Sequence, residues 1–386
     1  NGRETKMATA NINSEMLTWA RTRSGYSLSV FASKCAISEE RLVQWESGTR
    51  AMTFHQAILF AEKAHIPFGY LFLATPPVET LPIPDLRTPG SHPVHQPSAE
   101  LLDLVKLMLQ RQEWYREYLR QQLVEPNPWV GRLSMHSRVD TIVDDIRQAL
   151  QVGLYPERGN SDAYYRDLIT RIESLGILVM RQANLGHFTR PLQVEEFRGF
   201  AITDEYAPII FVNHADAPGA RLFTLIHELC HIWIGHSGIS DGDTRTTRQE
   251  EVLCNAVAAE FLVPEEEFTQ RWQPDTEHWQ DNLAPLELHF RVSKWVLARR
   301  ALTLKFIRYD DYARYIAGLK AEWQKREKSD GGPDYYRTKK AQISLPFSRA
   351  VVGQALSGQL FLREASSLLD GIKPANLPVF AKELGV

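Results

Sequence analysis

The chain is short of cysteine, with only Cys35, Cys230 and Cys254 among its 386 residues. So few, so placed, build no disulfide framework and point to a reducing, cytoplasmic compartment. Long apolar runs are missing too: no stretch approaches the roughly 20 residues needed to cross a bilayer, so no membrane helix is expected. The polar start, Asn1 to Lys6, lacks the apolar core of a secretory signal and reads as a remnant ahead of Met7. Charge of one sign is also lacking. Lys and Arg number 44 against 47 Asp and Glu, a net charge of -3, which argues against a wholesale polyanion binder but leaves room for a local basic patch. No internal repeat is visible. What is left, 44% hydrophobic and 24% charged residues, is the balance of an ordinary globular protein of two or three domains.

Against that background one segment stands out: His227-Glu228-Leu229-Cys230-His231. Residues four apart share a helix face, so His227 and His231 can converge on one metal ion. Glu228 leaves the helix at a neighbouring angle and can act as general base on a water. A third protein ligand must come from elsewhere, leaving a fourth position open. Glu251 is the candidate, because it opens a second apolar, helix-forming stretch. The apolar flank Leu222-Phe223-Thr224-Leu225-Ile226 predicts a buried helix, and burying His227, Glu228 and His231 without a shared ion would be costly. Asn255 falls one turn after Glu251, placed to orient a ligand histidine from behind. The chemistry implied is amide hydrolysis assisted by Zn²⁺. Cys230 is rotated by about 100° from His231 on a helix; it and Cys254 read as small buried residues rather than ligands. Tyr206 and His214 are the candidates for stabilising an oxyanion.

Along the chain, short helices are expected over 13–23, 27–34, 38–45 and 53–64, with Ser27, Ser38 and Thr53 as N-caps and Gly25 and Gly48 in the turns. A proline-rich stretch, 75–97, predicts an extended connector poor in hydrogen bonds. A long helix should run over 98–124. From residue 137 helices (141–151, 162–174) alternate with strands (177–180, 199–202, 208–213), and a strand edge just before the metal helix would suit peptide binding. Residues 286–307 suggest a second small helix-turn-helix element packed behind the core. Residues 325–340 read as a flexible charged connector, and 343–386 as a helical tail.

Ser27-Leu28-Ser29-Val30-Phe31-Ala32, Ile37-Ser38 and Leu42-Val43-Gln44-Trp45-Glu46-Ser47-Gly48 resemble the phage-repressor (XRE, Cro/C1-type) helix-turn-helix family. The resemblance implies DNA contacts from Ser38, Arg41 and Gln44, and Arg21, Arg23, Lys34, Arg41 and Arg50 supply positive charge that could contact a phosphate backbone. Where that family commonly carries glutamine, this chain has Leu28 and Glu39, followed by Glu40, and carboxylates there oppose phosphate. A module used for homodimerisation or for gripping another protein is the competing reading.

The order of this module, the linker, the segment Phe223-Thr224-x-x-His227-Glu228-x-x-His231 and the block Asn255-Ala256-Val257-Ala258-Ala259-Glu260-Phe261-Leu262-Val263-Pro264 resembles the ImmA/IrrE metallopeptidases. The resemblance implies a gluzincin-like zinc site with His227, His231 and Glu251 as ligands and Glu228 as general base. It also implies cleavage of a regulatory protein, a transcriptional repressor of a mobile element, phage or stress response. Cys230 and Cys254 depart from the usual glycine and alanine. A metzincin site would need a third histidine at Ser237; His236 falls one residue early and is read as a bystander. The expected fold is α+β and mostly helical, organised as a helix-turn-helix bundle (7–74), the linker (75–97), a connecting helix (98–136), a metallopeptidase domain with a small sheet (137–310) and a helical appendix (311–386). Two other functions stay open: a transcription regulator whose peptidase-like domain only senses, and a component of a toxin–antitoxin or immunity pair.

Overall fold

The computed structural model describes residues 11–85, 97–186, 190–240, 247–274, 278–326 and 335–386. The fold is α+β and mostly helical, with one four-stranded sheet. Two compact units separate: one runs to Leu81 and includes a return ending at Asp103, and the other holds residues from Pro82 and from Leu104 to Val386.

In the N-terminal unit the helices Ser14–Arg23, Leu28–Lys34, Glu39–Glu46 and Phe54–Lys63 precede a 3₁₀ turn, Phe68–Phe72. Each start is capped by a short polar side chain. Asn13, Ser27 and Ser38 accept from the backbone N–H of Glu15, Val30 and Arg41, and Thr53 forms a capping box with Gln56. Leu17, Phe31, Leu42, Trp45 and Phe60 make the core.

In the larger unit the strand order is β1-β3-β2-β4, with β1 Leu178–Gln182, β2 Gly199–Ile202, β3 Ile209–Asn213 and β4 Gly238–Ser240. β1 runs parallel to β3, while β2 is antiparallel to both β3 and β4. Nearly every strand residue is buried, because both faces are covered. On one face Val179, Ala201, Ile210 and Val212 join the core of the helices Val139–Leu150, Ser161–Ser174 and Pro218–Trp233. On the other, Gln112 of the Ala99–Gln121 helix donates to the carbonyls of Ile202 and Ala207, and the Tyr335–Gln342 helix packs on β1.

Several expectations change here. The linker is not free of hydrogen bonds at its last described residues: the Pro84 carbonyl accepts from Ile239 N–H at 3.1 Å, and Asp85 bridges Ile239 in parallel. Residues 86–96 of that expectation lie outside the described residues. Of the charged connector, 327–334 also lie outside, but Tyr335–Gln342 is a helix with Lys339 buried. The tail is helical, as expected, and is tied to the rest of the larger unit by buried charge. Buried Arg111 pairs with Asp370 at 2.6 Å, and Asp370 also accepts from Lys339 and Gln182. Charge pairing across such sequence distances has no local signature.

Candidate metal centre

Pro218 opens the helix that carries the histidines, where a missing N–H does no harm. The far end, beyond His231, is held by backbone bonds: Gly131 N–H and Leu133 N–H reach the carbonyls of Ile232 and Trp233. Trp233 donates to Asp145 at 2.8 Å and stacks on Trp129. The helix lies on β2 and β3, and Gln249–Leu262, which carries Glu251, runs against it. That packing decides where a carboxylate twenty residues downstream meets the histidines.

His227 Nε2 and His231 Nε2 lie 3.2 Å apart, His231 Nε2 is 3.0 Å from Glu251 Oε1, and His227 Nε2 is 3.2 Å from Glu251 Oε2. All three residues are buried. Donor atoms of a tetrahedral zinc ion, each about 2.0–2.2 Å from the metal, stand about 3.3 Å from one another. The cluster therefore fits that ion. Burial works to raise the Glu251 carboxyl, yet His227 and His231 hold it well below the carboxylate range; burial keeps His231 low. The cluster thus favours a charged Glu251 carboxylate beside a neutral His231, the forms that bind metal.

Glu228 is fully buried, and neither of its oxygens has a hydrogen-bond partner among the described residues. Burial, with Glu251's charge behind it, pushes its carboxyl well above the ordinary value. Such an unpaired buried acid is costly unless chemistry uses it. Gly199 of β2 passes so close that a Cβ there would sit 2.9 Å from Glu228 Oε1.

A small cleft opens on this group, lined by His227, Glu228, Ser240, Arg198, Trp295 and Arg299 together with Phe223 and Thr224. Arg299 lies over the Phe223 ring at 3.9 Å, and Arg198 pairs with Asp216 at 2.8 Å. Neither arginine nor Ser240 was singled out from the sequence. Arg299 and Trp295 belong to the Lys294–Thr303 helix, so the second helix-turn-helix-like element packs on the core through Val296, Leu297 and Ala301 and also lines the cleft. Arginine within an apolar helix was the available signal.

Other expectations are redirected. Asn255 does not reach a histidine: its Oδ1 accepts from Arg299 at 2.8 Å, and the Nδ1 atoms of His227 and His231 have no partner among the described residues. Tyr206 and His214 do not line the cleft. Tyr206 lies under the Arg120 guanidinium, and His214 bonds the Tyr165 hydroxyl at 3.1 Å. The strands before the metal helix are not an edge, since β2 and β3 are both interior; the edge beside the cleft is β4, three residues too short and glycine-rich to read as a strand. Cys230 and Cys254 are buried in the core as expected. In the N-terminal unit the Ser38 hydroxyl caps its own helix, while the Gln44 carbonyl accepts from Thr49 and Arg50. Arg21 is paired with Glu46, and Arg23 with Glu79 and Asp103.

Residues 173–302 match the Peptidase M78 family model, described as an IrrE N-terminal-like domain. The match covers the sheet, the metal helix, Glu251 and most of the cleft wall, and it supports a metallopeptidase-type domain there. Residues 343–383 match a domain of unknown function (DUF8813). No curated protein and no solved structure matches the chain.

Proposed function

We propose that the chain is a zinc-dependent endopeptidase of the ImmA/IrrE kind, gluzincin-like in its site, that cuts a regulatory protein. The observation that carries this reading is the set of three buried donor atoms at zinc-ligand spacing, with an unpaired carboxyl on the same cleft. His227, His231 and Glu251 would hold the ion. When bound, Zn²⁺ would polarise a scissile carbonyl, acidify the attacking water and offset the burial and the Glu251 charge that raise the Glu228 carboxyl. Glu228 then takes the proton from that water and returns it to the departing amine. The Arg198 and Arg299 guanidiniums bring positive charge to the cleft where the carbonyl oxygen becomes negative. Trp295 and Phe223 give the substrate side chain an apolar wall.

Substitution of Glu228 by Gln keeps the shape and removes the base. It should leave metal content unchanged and lower cleavage by about 10²–10⁴-fold, the usual worth of such a group. Wild-type cleavage by Glu228→Gln, measured by mass spectrometry of a candidate repressor, rejects the assignment.

The substrate class, a transcriptional repressor of a mobile element, phage or stress response, rests on the family resemblance and the accompanying helix-turn-helix-like unit. A reducing compartment suits the three free thiols. DNA contact by the N-terminal unit is less favoured than protein docking. Glu39 and Glu40 stand exposed at the head of the recognition-type helix, and Arg21 and Arg23 are engaged in internal ion pairs.

A further inference from the structure

The donor cluster has a fourth member that the peptidase reading does not use. Ser240 ends β4 and is almost wholly buried. Its Oγ lies 3.2 Å from His227 Nε2 and 3.2 Å from Glu251 Oε1. Those two distances are close to the 3.0–3.2 Å that separate the donor atoms of His227, His231 and Glu251, so the hydroxyl stands beside the cluster at ligand-like spacing from two of its members.

Ser240 does not lie there by chance of a loose loop. Its carbonyl accepts from Arg198 N–H at 3.0 Å, and Gly199 is its partner across β2. One residue earlier, Ile239 is buried and bonded on its outer side to Pro84. β4 is thus held from both flanks, with the hydroxyl aimed at the cluster. Structural zinc sites fill all four positions with protein, whereas catalytic sites leave one open.

We propose that Ser240 is the fourth ligand of the resting metal site, closing the corner that hydrolysis needs. The inference rests on the metal reading above. A neutral hydroxyl is the weakest donor of the set, so it is the one that leaves when β4 is drawn aside, while the two imidazoles and the carboxylate stay in place. The resting protein is then latent by its own first coordination sphere, and whatever draws β4 aside releases activity.

Cobalt(II) loaded into the full chain in place of zinc tests this without any cleavage assay. Ser240→Cys puts a thiol at the same position, and a thiolate within bonding reach gives a near-ultraviolet thiolate-to-cobalt charge-transfer band. The wild type, whose Cys230 and Cys254 are not assigned as ligands, should lack that band and the variant should show it. Ser240→Ala is the second reading and demands no new ligand. Azide should shift its cobalt spectrum at concentrations that leave the wild type unchanged, because the corner has opened. A Ser240→Cys spectrum without the band, a band already present in the wild type, or equal azide response in Ser240→Ala and wild type overturns the role of Ser240 while leaving the metal site standing. Failure of the wild type to take up one equivalent of cobalt overturns both.

Discussion

An alanine at position 199 would need space that the protein does not have. A Cβ built on Gly199 meets Thr224 Cγ2 at 2.7 Å, the Phe211 carbonyl oxygen at 2.8 Å and Glu228 Oε1 at 2.9 Å. The Phe211 oxygen belongs to the neighbouring strand and cannot yield without pulling β2 from β3. Thr224 is buried on the metal helix, where its hydroxyl already bonds the Ala220 carbonyl. Overpacking of this kind costs about 1–3 kcal/mol. At about 2 kcal/mol the melting midpoint of a unit this size falls by roughly 3–4 °C. The softest neighbour is the Glu228 carboxyl, so part of the strain goes into moving it. A displacement approaching 1 Å in a positioned group costs on the order of 10²-fold in rate. Gly199→Ala should therefore lose stability by calorimetry and lose turnover by more than the folded fraction explains. Metal content should hold, since His227, His231 and Glu251 are not among the atoms struck. Thr224→Ser removes one of the three collisions and should restore part of both losses in the double variant. A Gly199→Ala protein with wild-type midpoint and turnover refutes the packing argument and the placement of Glu228 with it.

Other perturbations reach different parts of the molecule. Asp370→Asn keeps the shape and the left-handed backbone tolerance but leaves Arg111 and Lys339 buried without their anion; a loss of about 3–5 kcal/mol in denaturant unfolding is expected, and less than 1 kcal/mol denies the tail its place in the larger unit. Burial, with Arg221 and Arg181 nearby, pushes the His214 imidazole down to about 2. The folded value lies below the unfolded one, so the unfolded chain binds the proton first and stability falls as pH drops below about 6.5; between pH 7.5 and 5 the loss is about 2 kcal/mol. His214→Gln should flatten that slope in urea midpoints taken across the range, and an unchanged slope contradicts the assignment. Gly318 sits inside the Tyr309–Arg326 helix with nothing near its missing Cβ, so Gly318→Ala should stabilise by about 0.5–1 kcal/mol; a lower melting temperature would be the contrary result.

Local pattern carried much of this protein. Two histidines four apart in an apolar run can only share a helix face, and the helix Pro218–Trp233 puts them there. Ser27, Ser38 and Thr53 each cap the helix that their position announces, because capping is chemistry within three residues. β2 was legible for the same reason: a short apolar run between breakers has few other uses.

What tertiary structure alone decided lies between elements. Glu251 could be nominated, but its 3.0 Å approach to His231 comes from packing one helix along another. Asn255 shares Glu251's face on paper, yet Arg299 from a later helix claims it. β4 has too few residues to show a period, and it is a strand only because β2 and Pro84 flank it, carrying Ser240 to the cluster. The charge on Arg111 likewise finds its partner 259 residues away. Periodicity and caps are properties of neighbours along the chain, whereas the donors, the cleft and its arginines meet through long-range packing, which leaves no repeat in the order of residues.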